Sequence, residues 1–128
     1  MLDWKPLLTA GALAVALALP ASAAENSING RWMDAEGTMF TFRLCGDGTT
    51  LCGTLNDIQG ASRTPKNMAY VNQQVVTAEQ AAPNKWKGTV DYGGNTAAAT
   101  VTQTGPDTIE IQGCQLLILC ETLVFNRV

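Results

Sequence analysis

From residue 28 onward, apolar and polar positions alternate with a period of two, and Val, Ile, Thr, Tyr and Phe recur between Gly, Asn and Asp. That alternation predicts half-buried strands rather than helices. Over residues 39–44, Phe40, Phe42 and Leu44 share one face while Thr41 and Arg43 share the other, with Glu36-Gly37 as the turn before them. Gly46-Asp47-Gly48 then reverses the chain. Leu51 and Leu55 continue the inward row on the partner strand. Strand character resumes at residues 73–78, at 85–92 around Trp86, Val90 and Tyr92, and at 96–104. It returns at Ile109 and Ile111, then after Cys120, where Leu123 and Phe125 point inward and Arg127 lies one step beyond. Ala82-Pro83-Asn84, Gly93-Gly94-Asn95 and Gly105-Pro106-Asp107 are the intervening turns. About eight short, sequentially linked strands predict an all-β antiparallel sandwich or up-and-down barrel. The barrel is favoured because pairing the first strand with the last leaves no exposed edge.

Two stretches break the alternation. Residues 60–70 are polar and rich in turn formers, longer than an ordinary connection, and are expected to form a loop or lid. Leu116–Leu119 is a run of four apolar residues that either folds over a barrel end or forms a contact surface.

The N-terminal segment follows a different logic. Lys5 precedes an uncharged apolar stretch from Leu7 to Leu19, then Pro20 and the small residues Ala21-Ser22-Ala23-Ala24. This is the pattern of a secretory signal peptide, too short to span a bilayer and ending in an Ala-x-Ala step. The expected domains are a signal peptide over 1–23, cleaved after Ala23, and a β domain over 24–128. No membrane span is expected after cleavage. No lipid-anchoring cysteine precedes the cleavage point. The expected location is periplasmic or secreted.

Export gives the four cysteines a meaning. They fall as two close pairs in a chain bound for an oxidising compartment, and each pair flanks a segment able to form a hairpin. Of three possible pairings, Cys45 with Cys52 and Cys114 with Cys120 is the one predicted. Neither spacing is C-x-x-C and the chain has no histidine, which argues against a metal site or a redox pair.

The formal net charge of −3 is unchanged when Asp3 and Lys5 leave with the leader. Without a basic cluster, neither nucleic acid nor an anionic membrane surface is an expected partner. Catalysis lacks an obvious agent as well. Asp34, Glu36, Asp57, Asp91, Glu110 and Glu121 are scattered over turns and outward faces, with no spacing that forces a carboxylate pair. No enzyme activity, catalytic residue, cofactor or metal ligand is therefore expected. Lys85 and Lys87 flank Trp86 as outward residues that blunt an edge.

An ordered set of fragments resembles a known family. Gly30-Arg31-Trp32 is followed by Leu44-Cys45, Leu51-Cys52-Gly53, Trp86-Lys87-Gly88, Gly113-Cys114, Leu119-Cys120 and the closing Phe125-Asn126-Arg127. The set is similar to the bacterial secreted family catalogued as domain of unknown function 2147, and covers nearly all of the mature chain. The stretch between Asp57 and Lys85 departs from that family's pattern. The resemblance implies a lipocalin-like barrel of the calycin type, in which Gly30, Trp32 and Arg127 form a structural signature. Trp32 and Arg127 are then expected to meet as a cation–π pair of about 0.5–2 kcal/mol.

Two functions follow. One is carriage of a small, partly apolar ligand in a cavity lined by Phe40, Phe42, Leu55, Val90, Tyr92, Val101, Ile109, Ile111 and Phe125, gated by the 60–70 loop. The other is a non-catalytic structural or interaction module of the cell envelope, with a filled interior, binding an envelope protein through a strand edge or the Leu116–Leu119 tip.

Overall fold

Inward apolar rows can be covered on both flanks only if the sheet curls until its ends meet. The computed structural model, which describes residues 27–92, 94–115 and 119–128, shows that solution. Strands β1 (Gly30–Met33), β2 (Met39–Cys45), β3 (Thr50–Asp57), β4 (Gln74–Ala82), β5 (Lys85–Tyr92), β6 (Asn95–Gly105), β7 (Thr108–Gln115) and β8 (Leu119–Arg127) form a closed barrel. Each pairs antiparallel with the next, and β8 returns to β1. The expected up-and-down topology is what the chain adopts. Residues 1–26, on which the expected signal peptide falls, together with Gly93 and Leu116–Ile118, lie outside the described residues.

Register explains the core. Phe42 lies opposite Gly53, which lies opposite Val76, and Val76 lies opposite Val90. Trp86 lies opposite Val101, Val101 opposite Ile111, and Ile109 opposite Phe125. A register shift between Gly53 and Thr54 interrupts the period of two on β4, so Val75 and Val76 are both buried. A bulge of this kind lets successive residues serve one interior.

Up-and-down topology gives the barrel two unlike ends. At one, the closed end, lie the 46–49, 83–84 and 106–107 turns together with residues 27–29 and the C-terminus. Asn84, at φ 63°, takes the left-handed conformation that asparagine tolerates, which lets β4 reverse into β5 within two residues. The opposite end carries the 34–38 turn and the long 58–73 connection. That connection holds a 3-10 turn (Gly60–Ser62) and one short helix, α1 (Pro65–Met68). Pro65 suits the first turn, and the Thr64 hydroxyl caps it by accepting from the Asn67 amide at 3.2 Å. Met68, Tyr70 and Val71 pack on the core, and the Tyr70 hydroxyl accepts from the Gly94 amide at 2.9 Å. The stretch expected to be a loop or lid is thus fastened across the barrel end.

The disulfides are Cys45–Cys52 and Cys114–Cys120, as expected. The first links β2 to β3 diagonally near the closed end, because Cys45 faces Thr50 and Cys52 faces Arg43. The second joins directly opposed residues of β7 and β8 at the other end.

Candidate functional site

The closed end is built around Arg127. Its guanidinium carbon lies 4.3 Å from the Trp32 ring centroid. Its Nη1 donates to the Asn29 carbonyl at 2.9 Å, and its Nη2 donates to the Ser27 and Pro106 carbonyls at 2.7 Å each. Nε reaches Asp107 Oδ1 at 3.1 Å and the Pro106 carbonyl at 3.2 Å. Trp32 is fully buried, and its indole N–H donates to the Ile28 carbonyl at 2.9 Å. Gly30 has φ 141°, and a Cβ there would sit 2.9 Å from Arg127 Nη1. The Gly-x-Trp spacing therefore makes room for the guanidinium and supplies the ring under it. The contact expected between Trp32 and Arg127 is present, and its work is closure: it ties the first strand, the last turn and the last strand together.

The residues expected to line a cavity are placed as follows. Phe42, Leu55, Val101, Ile109 and Phe125 are buried in one apolar cluster, and Phe40, Val90 and Ile111 pack against it partly buried. The Tyr92 side chain lies outside the described part. Phe40 stacks on Phe42 with centroids 5.6 Å apart and meets Phe125 edge-on at 5.5 Å. A Cβ at Gly53 would lie 2.5 Å from the Phe42 ring, so this part of the interior is filled by side chains. Two shallow hollows lie elsewhere: one at the closed end beside Asn84 and residues 103–106, the other on the outer wall among Lys85, Thr100, Thr102, Glu110, Gln112 and Thr122.

The opposite end differs between its two sides. β1 has four residues and β8 has nine, and they pair only at Trp32 with Arg127 and Met33 with Asn126. Above those pairs, among the described residues, β8 runs on beside β7 alone. Residues 119–124 are all exposed. Leu119 is 61% exposed, Leu123 45% and Val124 48%; with Val128 they are the exposed large apolar side chains of the described residues. Leu123 shares the inward face with Phe125, as expected from alternation, yet it is exposed because, among the described residues, no strand or loop closes over it. Ile111 and Gly113 on β7 are only half-buried, and a Cβ on Gly113 would meet nothing within 4 Å. Within the apolar run at residues 116–119, Leu119 is the described member.

Backbone geometry tells which groups this open side offers. The Arg127 amide donates to Asp107 on the β7 side, whereas the Val128 amide donates to Arg31 on the β1 side. Successive residues of a strand turn their N–H and C=O to opposite flanks. Odd-numbered residues of β8 therefore bond to β7. Cys120, Thr122 and Val124 direct theirs to the flank where, among the described residues, no strand lies. Sequence alternation cannot reveal this edge, because period two reports faces and not neighbours.

Charges are arranged for structure. Asp57 is held below the usual carboxylate range, chiefly by the Gln59 side-chain amide at 2.7 Å, then by the Ile58 amide and the Arg63 guanidinium at 3.2 Å. Asp47 is held low by the Thr49 amide and hydroxyl in the β2–β3 turn. The described residues contain no group of three or more His, Cys, Asp or Glu placed to hold a metal ion. No described helix is long and apolar enough to cross a membrane. Two disulfides suit a protein of an oxidising, extracytoplasmic compartment.

No family model, no curated protein and no solved structure matches this chain.

Proposed function

We propose that this protein is a non-catalytic interaction module of the bacterial envelope, exported by its leader, which docks through the open flank of β8. One observation carries this reading: Leu119 and Leu123 on one face and Val124 on the other are exposed on a strand whose outward backbone groups, among the described residues, face no neighbouring strand. Edges left free in natural sheets are commonly guarded by several charged side chains, Pro or a bulge. Between Leu119 and Asn126 this one has a single charge, Glu121, no Pro, and an unbroken register with β7. The order of Gly30, Trp32, the cysteines and Arg127 supports kinship with the secreted domain of unknown function 2147. Photo-crosslinking in a bacterial host tests the docking surface, with a benzophenone side chain placed in place of Val124 or, as control, of Lys87 on the outer wall. A protein adduct from the first site alone is expected. Absence of an adduct there, or equal adducts from both sites, overturns the reading.

A second reading has its own observation. The open space over Gly113, next to Ile111 and Leu123, is a place where a small, partly apolar ligand could rest at the barrel mouth. Gly113→Trp puts a reporter there. Saturable fluorescence change on titration with fatty acids favours this carrier reading; an unchanged spectrum removes it.

A further inference from the structure

We infer that the free flank of β8 is covered by a second copy of this chain, the two β8 strands pairing antiparallel about a two-fold axis at Thr122. The inference rests on β8 being a docking surface and goes further by naming the occupant. The free run, residues 119–125, is centred on Thr122, and its outward backbone groups belong to Cys120, Thr122 and Val124. A two-fold axis at Thr122 sets Thr122 opposite its own copy and Cys120 opposite Val124. Every outward N–H and C=O of one copy then meets its complement on the other. Asn126, already opposite Met33, is left where it is.

Charge disfavours the neighbouring register. Centring the pair on Glu121 would set two carboxylates directly opposite, which is destabilising. With the axis on Thr122, Glu121 faces Leu123 instead, Leu119 faces Phe125, and the two threonines can share a hydrogen bond. The strand has no cationic or further acidic side chain between Leu119 and Asn126 to select a charged partner, whereas it is complementary to itself. The Cys114–Cys120 bridge ties β8 to β7 before any partner arrives, so less ordering is needed on pairing.

Sedimentation velocity on the protein produced from the full chain tests this. The expected result is a mass of two copies that falls to one on dilution. Thr122→Pro removes an outward amide while sparing the β7 ladder, and Pro is tolerated on such an edge. It is expected to leave circular dichroism and the thermal midpoint near those of the parent while weakening association at least tenfold. Thr122→Arg, which sets two like charges face to face, is expected to do the same and serves should the proline variant fail to fold. A parent protein that stays monomeric at high micromolar concentration overturns the inference, as do Thr122 variants that associate undiminished. The crosslink at Val124 separates the two readings. An adduct of twice the chain mass supports the pair, an adduct of any other mass overturns the second copy but keeps the docking surface, and absence of an adduct overturns both.

Discussion

Arg127 shows how much one side chain can organise. Its five donors reach three carbonyls and a carboxylate from two chain regions while its face covers Trp32. Lysine offers a point charge and no planar fork. Arg127→Lys is therefore expected to lower stability by about 1–3 kcal/mol in a denaturant titration, since the Ser27, Asn29 and Pro106 carbonyls share one point donor in place of a fork. Two glycines make an opposite pair. Gly53→Ala drives a methyl group into Phe42 and against Val76, both buried, and is expected to cost about 1–3 kcal/mol. Gly113→Ala enters open space at ordinary φ and is expected to add about 0.4–1 kcal/mol by restricting the unfolded chain. Equal effects from the two would mean that the β7–β8 side is packed like the rest. Alternation reveals that Phe42 and Phe125 point inward. It does not reveal that Gly53 lies under a ring and Gly113 under nothing, because that depends on register across strands.

Among the elements, the β2–β3 and β7–β8 hairpins are each bridged by a short-loop disulfide. The chain-entropy model assigns such a loop about 2–3 kcal/mol, and loss of Cys45–Cys52 in the double serine variant should lower the unfolding free energy by that amount. Both pairings were legible from spacing and compartment alone, because close cysteines on a hairpin have few other partners in reach. The 58–73 connection was legible only as a break in pattern. What fastens it is tertiary: Tyr70 to the β5–β6 turn, and Asp57 with Gln59 and Arg63 at its root. Folding lowers the Asp57 pKa, so its contribution is fully present above the unfolded value, about 4. It is lost as pH falls through the lower folded value. Amide exchange of the loop is therefore expected to quicken relative to Asp57→Asn, whose side chain does not titrate, only below about pH 4.

The described residues form one ring of pairings fastened at a single seam, where β1 and β8 meet over two residue pairs. Trp32 and Trp86 are both buried in the common core, so their fluorescence and the far-ultraviolet dichroism should lose native signal in one coincident transition. Separate midpoints would show that the seam opens before the rest. Period-two patterning, turn residues and cysteine spacing determined, without coordinates, that the chain is a disulfide-bonded all-β domain, because side-chain alternation and loop closure are local properties. Where the seam falls, which glycines are covered and which flank of β8 is left unpaired were decided by the closed ring. Those features depend on strands far apart in the chain coming to lie side by side, and on how far each extends past its neighbour.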